Sequence, residues 1–190
     1  MTTLIVVSGY SCTGKTALAK KIGEQFSLPA IGRDDIKESL YDSLGYCDRE
    51  WSKKLGVASY RLLYLMTEKI LGSDSSIIVE SNFKVKSDTE KLKQLKDKYQ
   101  CYLLQIHYHV EIPLALSRFK NRATSGERHP GHVDHLNYDE MEFNFKQGGY
   151  KILDICDCTL QVNTTDFEQI DYRAIFEVVR NCLPQEDKRY

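Results

Sequence analysis

Gly9-Tyr10-Ser11-Cys12-Thr13-Gly14-Lys15-Thr16 has the spacing G-x-x-x-x-G-K-[ST], and the types of residue in it suit one task. Gly9 and Gly14 let the backbone turn so that successive N–H groups aim at a single anion. A helix starting behind them adds its unpaired N–H groups and the positive end of its dipole. Lys15 can reach β- and γ-phosphates, and the Thr16 hydroxyl can ligate Mg²⁺. The run Leu4–Ser8 ahead is apolar and β-branched, and Ala17, Leu18, Ala19 and Ile22 behind open a helical pattern. Strand, glycine loop and helix start together imply a phosphate cradle for a nucleoside triphosphate, with ATP and Mg²⁺ as the expected cofactors.

Other residues could act on such a phosphate. Glu80 closes the apolar run Ser76–Val79, where an acid can hold Mg²⁺ or one of its waters, so Thr16 and Glu80 are the expected metal pair. Asp34 and Asp35 open a helix. Aspartate is a preferred cap there, so one is expected to cap and the other, Asp34, to face the cleft and orient or deprotonate a hydroxyl. Arg118 and Arg122, four apart, share a helix face before a polar, glycine-containing stretch. That suits a lid over the γ-phosphate, with solvated surface arginines as the alternative. Catalytic roles are thus expected for Lys15, Asp34, Arg118 and Arg122. Asp35, Lys37, Asn82, Arg128 and His132 are expected to meet the acceptor, although Asn82 reads equally well as a plain turn residue. His129, His132 and His135 recur at a spacing of three beside Asp134 and could ligate a metal. Pro130-Gly131 breaks the helical period, however, and a lid contacting substrate is the better reading. His107 and His109 lie on an apparent strand and read as structural.

The elements that must carry these groups alternate. Helical patterns cover residues 14–26, 33–45, 50–71, 88–99, 113–122, 139–146 and 166–182. Strands cover residues 4–8, 30–32, 76–80, 101–109 and 155–162, and residues 147–149 read as a turn. In the longest helix Trp51, Leu55, Ala58, Leu62 and Leu65 form the expected core seam. Alternation of this kind predicts a three-layer α/β/α sandwich on a parallel five-stranded sheet, a P-loop nucleotide-binding fold like that of nucleoside monophosphate kinases. It reads as one domain over residues 1–190, with a small mobile lid over 118–137. Ligands of such sheets bind outside the carboxyl ends of the strands, which gathers residues 9–16, 34–35 and 80 on one rim.

A net charge of −1 gives no global pull towards nucleic acid or an anionic membrane. No apolar run reaches membrane-spanning length and no signal-peptide layout opens the chain, so a cytoplasmic protein is expected. Its six cysteines lack a C-x-x-C pair and read as reduced thiols. Cys12, near a helix N-terminus, is a small loop filler or, alternatively, a thiol of lowered pKa.

The phosphate loop, Arg33-Asp34-Asp35-Ile36-Lys37, Ile77–Asn82 and the Arg118/Arg122 pair together resemble the kinase domain of polynucleotide 5′-kinases. They also resemble the wider P-loop kinases that include zeta toxins and chloramphenicol phosphotransferase, over most of the first 125 residues. The resemblance implies Asp34 as general base, Arg122 as the transition-state arginine and Arg118 as a second lid arginine. Lys37 stands where that group usually has arginine, and Glu80-Ser81-Asn82 where it usually has an aspartate-led triplet. Both differences lie near acceptor and metal. The expected activity is transfer of the ATP γ-phosphoryl group to a hydroxyl of a small molecule. A polynucleotide 5′-hydroxyl is the alternative acceptor, and a nucleotide-driven switch that binds a protein partner is the alternative of another class.

Overall fold

The structure, a computed structural model, describes residues 1–126, 128–147 and 150–184. β1 (Thr3–Gly9) is buried along its whole length at the centre of a five-stranded sheet. Its neighbours are β3 (Ile77–Glu80) and β4 (Tyr102–His109), with β2 (Ala30–Gly32) and β5 (Cys158–Asn163) at the edges, and every pairing is parallel. Alternate residues of β1 feed opposite faces. Leu4 and Val6 join Ile77, Val79 and Leu103 under Leu63 and Leu71 of α3 (Arg49–Leu71) and Leu92 and Leu95 of α4 (Val85–Tyr99). Ile5 and Val7 join Ile78, Leu104 and Ile106 under α1 (Lys15–Phe26) and α7 (Tyr172–Cys182). The result is the three-layer α/β/α sandwich that the alternation predicts. Each large aliphatic side chain buried in it is worth about 1.5–3 kcal/mol.

The remaining helices frame the rim. α2 (Arg33–Leu44) follows β2 without a loop, and α5 (Ile112–Ser125) takes Pro113 in its first turn. α6 (Tyr138–Lys146) packs Phe145 with Val110, Ala115 and Tyr150 in a small third core that Tyr10 of the phosphate loop touches. Residues 130–132 and 134–136, inside the stretch read as a mobile lid, are two 3-10 turns, and Gly131, His132 and the linking Val133 are buried.

Several expectations need correction. The buried face of α3 is Ser52, Leu55, Ser59, Leu63, Thr67 and Leu71; of the expected seam only Leu55 belongs to it, and Leu65 is 49% exposed. Ser59 and Thr67 tolerate burial because each hydroxyl donates to a carbonyl of its own helix, Gly56 O at 2.9 Å and Leu63 O at 2.7 Å. The face left outward borders an open groove of about 970 Å³ between α3 and α4, with Val57, Arg61 and Leu65 on its wall. No phosphate-loop residue lines that groove. α4 starts at Val85, three residues before the expected start. β5 starts at Cys158: Asp157 turns away to accept the Leu103 N–H at 2.8 Å and the Lys96 ammonium at 2.7 Å. A 3-10 turn over residues 167–169 precedes α7, so the closing helix starts at Tyr172. Of the turn at 147–149, positions 148 and 149 lie outside the described residues. All six cysteines are free thiols.

His107 is buried under the site, and Ser8 Oγ lies 3.2 Å from its Nδ1 while accepting the Gln105 amide at 2.7 Å. That contact and the burial suit a neutral imidazole. Burial pushes its pKa down to about 4, and His109 and Lys15 add to the effect. An unfolded histidine titrates near 6.5, so between pH 6.5 and 4 the unfolded chain binds a proton that the fold refuses, and stability falls with falling pH. Urea unfolding should lose up to about 2 kcal/mol through this residue between pH 6.5 and 5. His107→Gln should flatten that slope.

Candidate active site

The sheet register assembles the site. Glu80 pairs across from Val7 on one side and Gly32 on the other, so the end of β3 lies between the phosphate loop and the start of α2. Gly9 leaves β1 at φ +126°, and a Cβ there would sit 1.9 Å from the Tyr108 carbonyl oxygen. Gly14 reaches φ +84° as the N-cap of α1, with no side chain capping that helix and no acid in its first turn. The first N–H groups of α1 are thereby left to an anion in the loop. Cys12 also adopts a left-handed conformation (φ 61°). The loop is braced from outside: the Asn82 amide donates to Ser11 Oγ at 2.8 Å, and Thr13 Oγ1 donates to Tyr10 O at 2.8 Å.

Lys15 is buried and curls back onto Tyr10 O at 2.5 Å, with Glu80 Oε1 4.0 Å away. The Thr16 hydroxyl donates to Glu80 Oε2 at 3.0 Å. Burial lowers the Lys15 pKa against the pull of Glu80, and burial raises that of Glu80 against the pull of Lys15. Neither Asp34 nor Asp35 caps α2, whose N-cap is Gly32. Asp35 instead folds back over Gly32, where a Cβ would meet its Oδ2 at 2.6 Å and Glu80 Oε2 at 3.5 Å. Thr16, Asp35 and Glu80 line one cavity of about 340 Å³. A hydroxyl and two carboxylates form a hard-oxygen set of the kind Mg²⁺ accepts when phosphates and water complete its shell. Among the described residues no group of three or more His, Cys, Asp or Glu side chains is placed to hold a metal ion by itself.

Asp34 lies on the other side of the rim. Its Oδ2 takes the Arg128 guanidinium at 2.7 Å, and its Oδ1 faces Arg33 at 3.4 Å. Burial would raise the carboxyl, but Arg128 and Arg33 overcome that and hold it well below the usual carboxylate range. Asp134 joins Arg128 Nε at 3.1 Å to Arg122 at 3.3 Å. Arg33 lies over the Tyr60 ring at 4.9 Å. Lys37 is buried with the neutral Ser52 Oγ as its hydrogen-bond partner at 3.1 Å, and burial, helped by Arg33, pushes its pKa down to about 8.

The structure brings together Lys15, Thr16, Glu80, Asp34, Asp35, Arg122 and Arg128. It sends Arg118 elsewhere: that guanidinium donates to the carbonyls of Thr164 (2.7 Å) and Thr165 (2.9 Å) and covers Phe167, whose ring flanks Gly14. Asn82 serves the loop as a brace. Burial raises the Cys12 thiol despite nearby Arg122 and Lys15, so the thiol of lowered pKa is not found. Sequence reasoning missed Arg33 and Glu38 and saw Asp134 only as a metal ligand. The position of Arg33 beside Asp34, and of Glu38 four residues on, was the available signal.

No family model matches the chain, and no curated protein sequence matches it. Among solved structures, a "putative kinase" from Chloroflexus aurantiacus J-10-fl is 36% identical over 96% of this chain and 99% of its own, with a TM-score of 0.88. The chain belongs to that P-loop kinase family. More distant structures share the fold of this P-loop kinase. Kti12 of Chaetomium thermophilum, solved with ADP-AlF3, is 18% identical over 95% of this chain and 99% of its own (TM-score 0.65). A gluconokinase of Sinorhizobium meliloti 1021 is 16% identical over 94% and 92% (TM-score 0.56).

In this P-loop kinase the closest packing tolerance is at Gly9. Gly9→Ala should cost on the order of 2–5 kcal/mol and abolish nucleotide binding, through backbone strain and overlap with the Tyr108 carbonyl. Gly45→Ala, also at positive φ (79°) but with nothing within 4 Å, should cost about 1–3 kcal/mol through backbone strain alone and leave binding intact. Thermal unfolding and titration with a fluorescent ATP analogue read both.

Proposed function

We propose that this protein is a Mg²⁺-dependent kinase that moves the γ-phosphoryl group of ATP onto a hydroxyl of a small molecule. The observation that carries the reading is Asp34, a carboxylate on the rim, electrostatically coupled to Lys15 and Glu80 and ringed by guanidinium groups. A switch that only binds nucleotide and a protein partner has no need of such an acid opposite its phosphate loop.

The loop amides and Lys15 hold the triphosphate. Thr16, Glu80 and Asp35 would hold Mg²⁺, which supplies charge neutralisation at the phosphate oxygens. Asp34 accepts a hydrogen bond from the acceptor hydroxyl and aims its oxygen at phosphorus. Its proton affinity is low, so it orients more than it deprotonates. A loose transition state, in which little charge develops on the nucleophile, tolerates that. Arg122 and Arg128 neutralise charge on the moving group. Arg118, committed to Thr164 and Thr165, leaves that role to them. The finer resemblance to polynucleotide 5′-kinases and zeta toxins supports Asp34 as base and Arg122 as the transition-state arginine. The near-neutral net charge favours a small acceptor over a nucleic acid. Similar folds carry the names gluconokinase, sugar kinase and shikimate kinase, which is in keeping with that choice.

Incubation with γ-labelled ATP, Mg²⁺ and a panel of sugars, polyols, hydroxy acids, nucleosides and 5′-hydroxyl oligonucleotides tests the reading. Label should appear on a small alcohol. Asp34→Asn should cut transfer by roughly a hundredfold or more with little change in ATP affinity. Undiminished turnover in Asp34→Asn would point to the switch.

A further inference from the structure

Asp34, Glu38 and Asp42 stand four residues apart and so form one line along α2. The segment after α5 sets one group on each. Arg128 is 2.7 Å from Asp34 Oδ2, His132 Nε2 is 2.8 Å from Glu38 Oε1, and His129 Nε2 is 3.2 Å from Asp42 Oδ1. The protonation of His132 follows from its neighbours. Nδ1 lies 3.0 Å from Arg128, which can only donate, so Nδ1 accepts and the ring proton sits on Nε2, where it goes to Glu38. Burial, with Arg128 beside it, pushes the His132 pKa down to about 2, and the ring is neutral. Packing follows the same line. His129 stacks on Tyr41 with centroids 5.0 Å apart, and Gly131 lies so close that a Cβ would come within 2.6 Å of Tyr41 Cγ.

This arrangement conflicts with the role of Asp34. Each Asp34 oxygen keeps a second lone pair, but Arg128 at 2.7 Å from Oδ2 and Arg33 at 3.4 Å from Oδ1 each take up one approach to the carboxylate, so an incoming hydroxyl must share it with two guanidinium groups. Releasing Arg128 from Asp34 would not leave its charge uncompensated, because Asp134 Oδ2 lies 3.1 Å from its Nε.

We propose that residues 128–132 form a clasp on α2 that competes with the acceptor for Asp34. Glu38, Asp42 and Gly131 then act as positioning residues. They set how tightly the acceptor binds and keep water from using Asp34 when no acceptor is present. The proposal rests on the kinase reading above.

Glu38→Gln combined with Asp42→Asn loosens the clasp without touching Asp34 or Arg128, and Gly131→Ala loosens it by bulk alone. Steady-state kinetics with the acceptor found in the panel should show its KM falling roughly three- to tenfold in each variant, since apparent affinity scales with the competent fraction. kcat should move by less than about twofold, and hydrolysis of ATP without acceptor should rise by a factor similar to the fall in KM. Hydrogen exchange at the Val133 and Asn137 amides, which bond to Pro130 O and Asp134 O, should speed up in parallel. Faster exchange with KM and hydrolysis unmoved, or a rise in KM, overturns the clasp while leaving the kinase reading intact. Absence of transfer to every alcohol by the unaltered protein overturns the kinase reading, and the clasp with it.

Discussion

A carboxylate buried at the end of a central strand constrains everything around it. Glu80 is 6% exposed and is fixed by register between Val7 and Gly32, so it cannot turn to water. An ionised acid in that position is tolerable only with cations and donors arranged about it. Lys15 and Thr16 provide the first of these from α1. Asp35 folds in beside Glu80, so two acids stand against the single ammonium of Lys15 on this side. Across the rim the balance reverses: Arg33, Lys37, Arg122 and Arg128 face Asp34 and Asp134. One side of the cleft thus asks for a divalent cation and the other for an anion. A Mg²⁺-bound triphosphate presents both.

The parts of this architecture that were legible in the sequence are those set by backbone geometry and by apolar runs. The glycine spacing of the loop, the strand ahead of it and the acid ending β3 each follow from a local rule, and the order of elements gave the layers. Side chains that find polar partners far along the chain were not legible. α3 shows this best: its leucines and alanine suggested one seam, yet the buried face carries Ser52, Ser59 and Thr67. Two of those hydroxyls satisfy themselves on the preceding turn, and the third meets Lys37 and Tyr41 from another helix. A hydropathy pattern counts such residues as polar, while the fold treats them as small and already bonded.

The same limit explains why only one of the two expected lid arginines stands at the site. Arg118 and Arg122 do leave α5 on adjacent turns. What separates them is the chain each meets: the β5–α7 connection offers the carbonyls of Thr164 and Thr165 to one, and the 3-10 turn at 134–136 offers Asp134 to the other. Those partners lie 46 and 12 residues away in sequence, so helical spacing alone could not divide the roles. Asp35 was misjudged in the opposite direction. A cap was expected, but Gly32 takes that position, and the freed carboxylate turns towards Thr16 and Glu80.

The low proton affinity of Asp34 bears on what kind of transfer this site can perform. A base that must remove a proton before attack works best with a pKa near the working pH, and two guanidinium groups push Asp34 the other way. Chemistry that depended on a strong nucleophile would be poorly served. Phosphoryl transfer through a loose transition state asks instead for a fixed oxygen, a neutralised leaving group and cations over the phosphoryl oxygens, and it lets the proton leave late. A permanently ionised carboxylate then has an advantage, since it never loses its ability to accept the hydroxyl's hydrogen bond. Of the two arginines that depress Asp34, Arg33 and Arg128, the second is joined through Asp134 to Arg122. In the proposed reaction, holding the acceptor and receiving the phosphoryl charge would therefore be tied to one cluster of ion pairs.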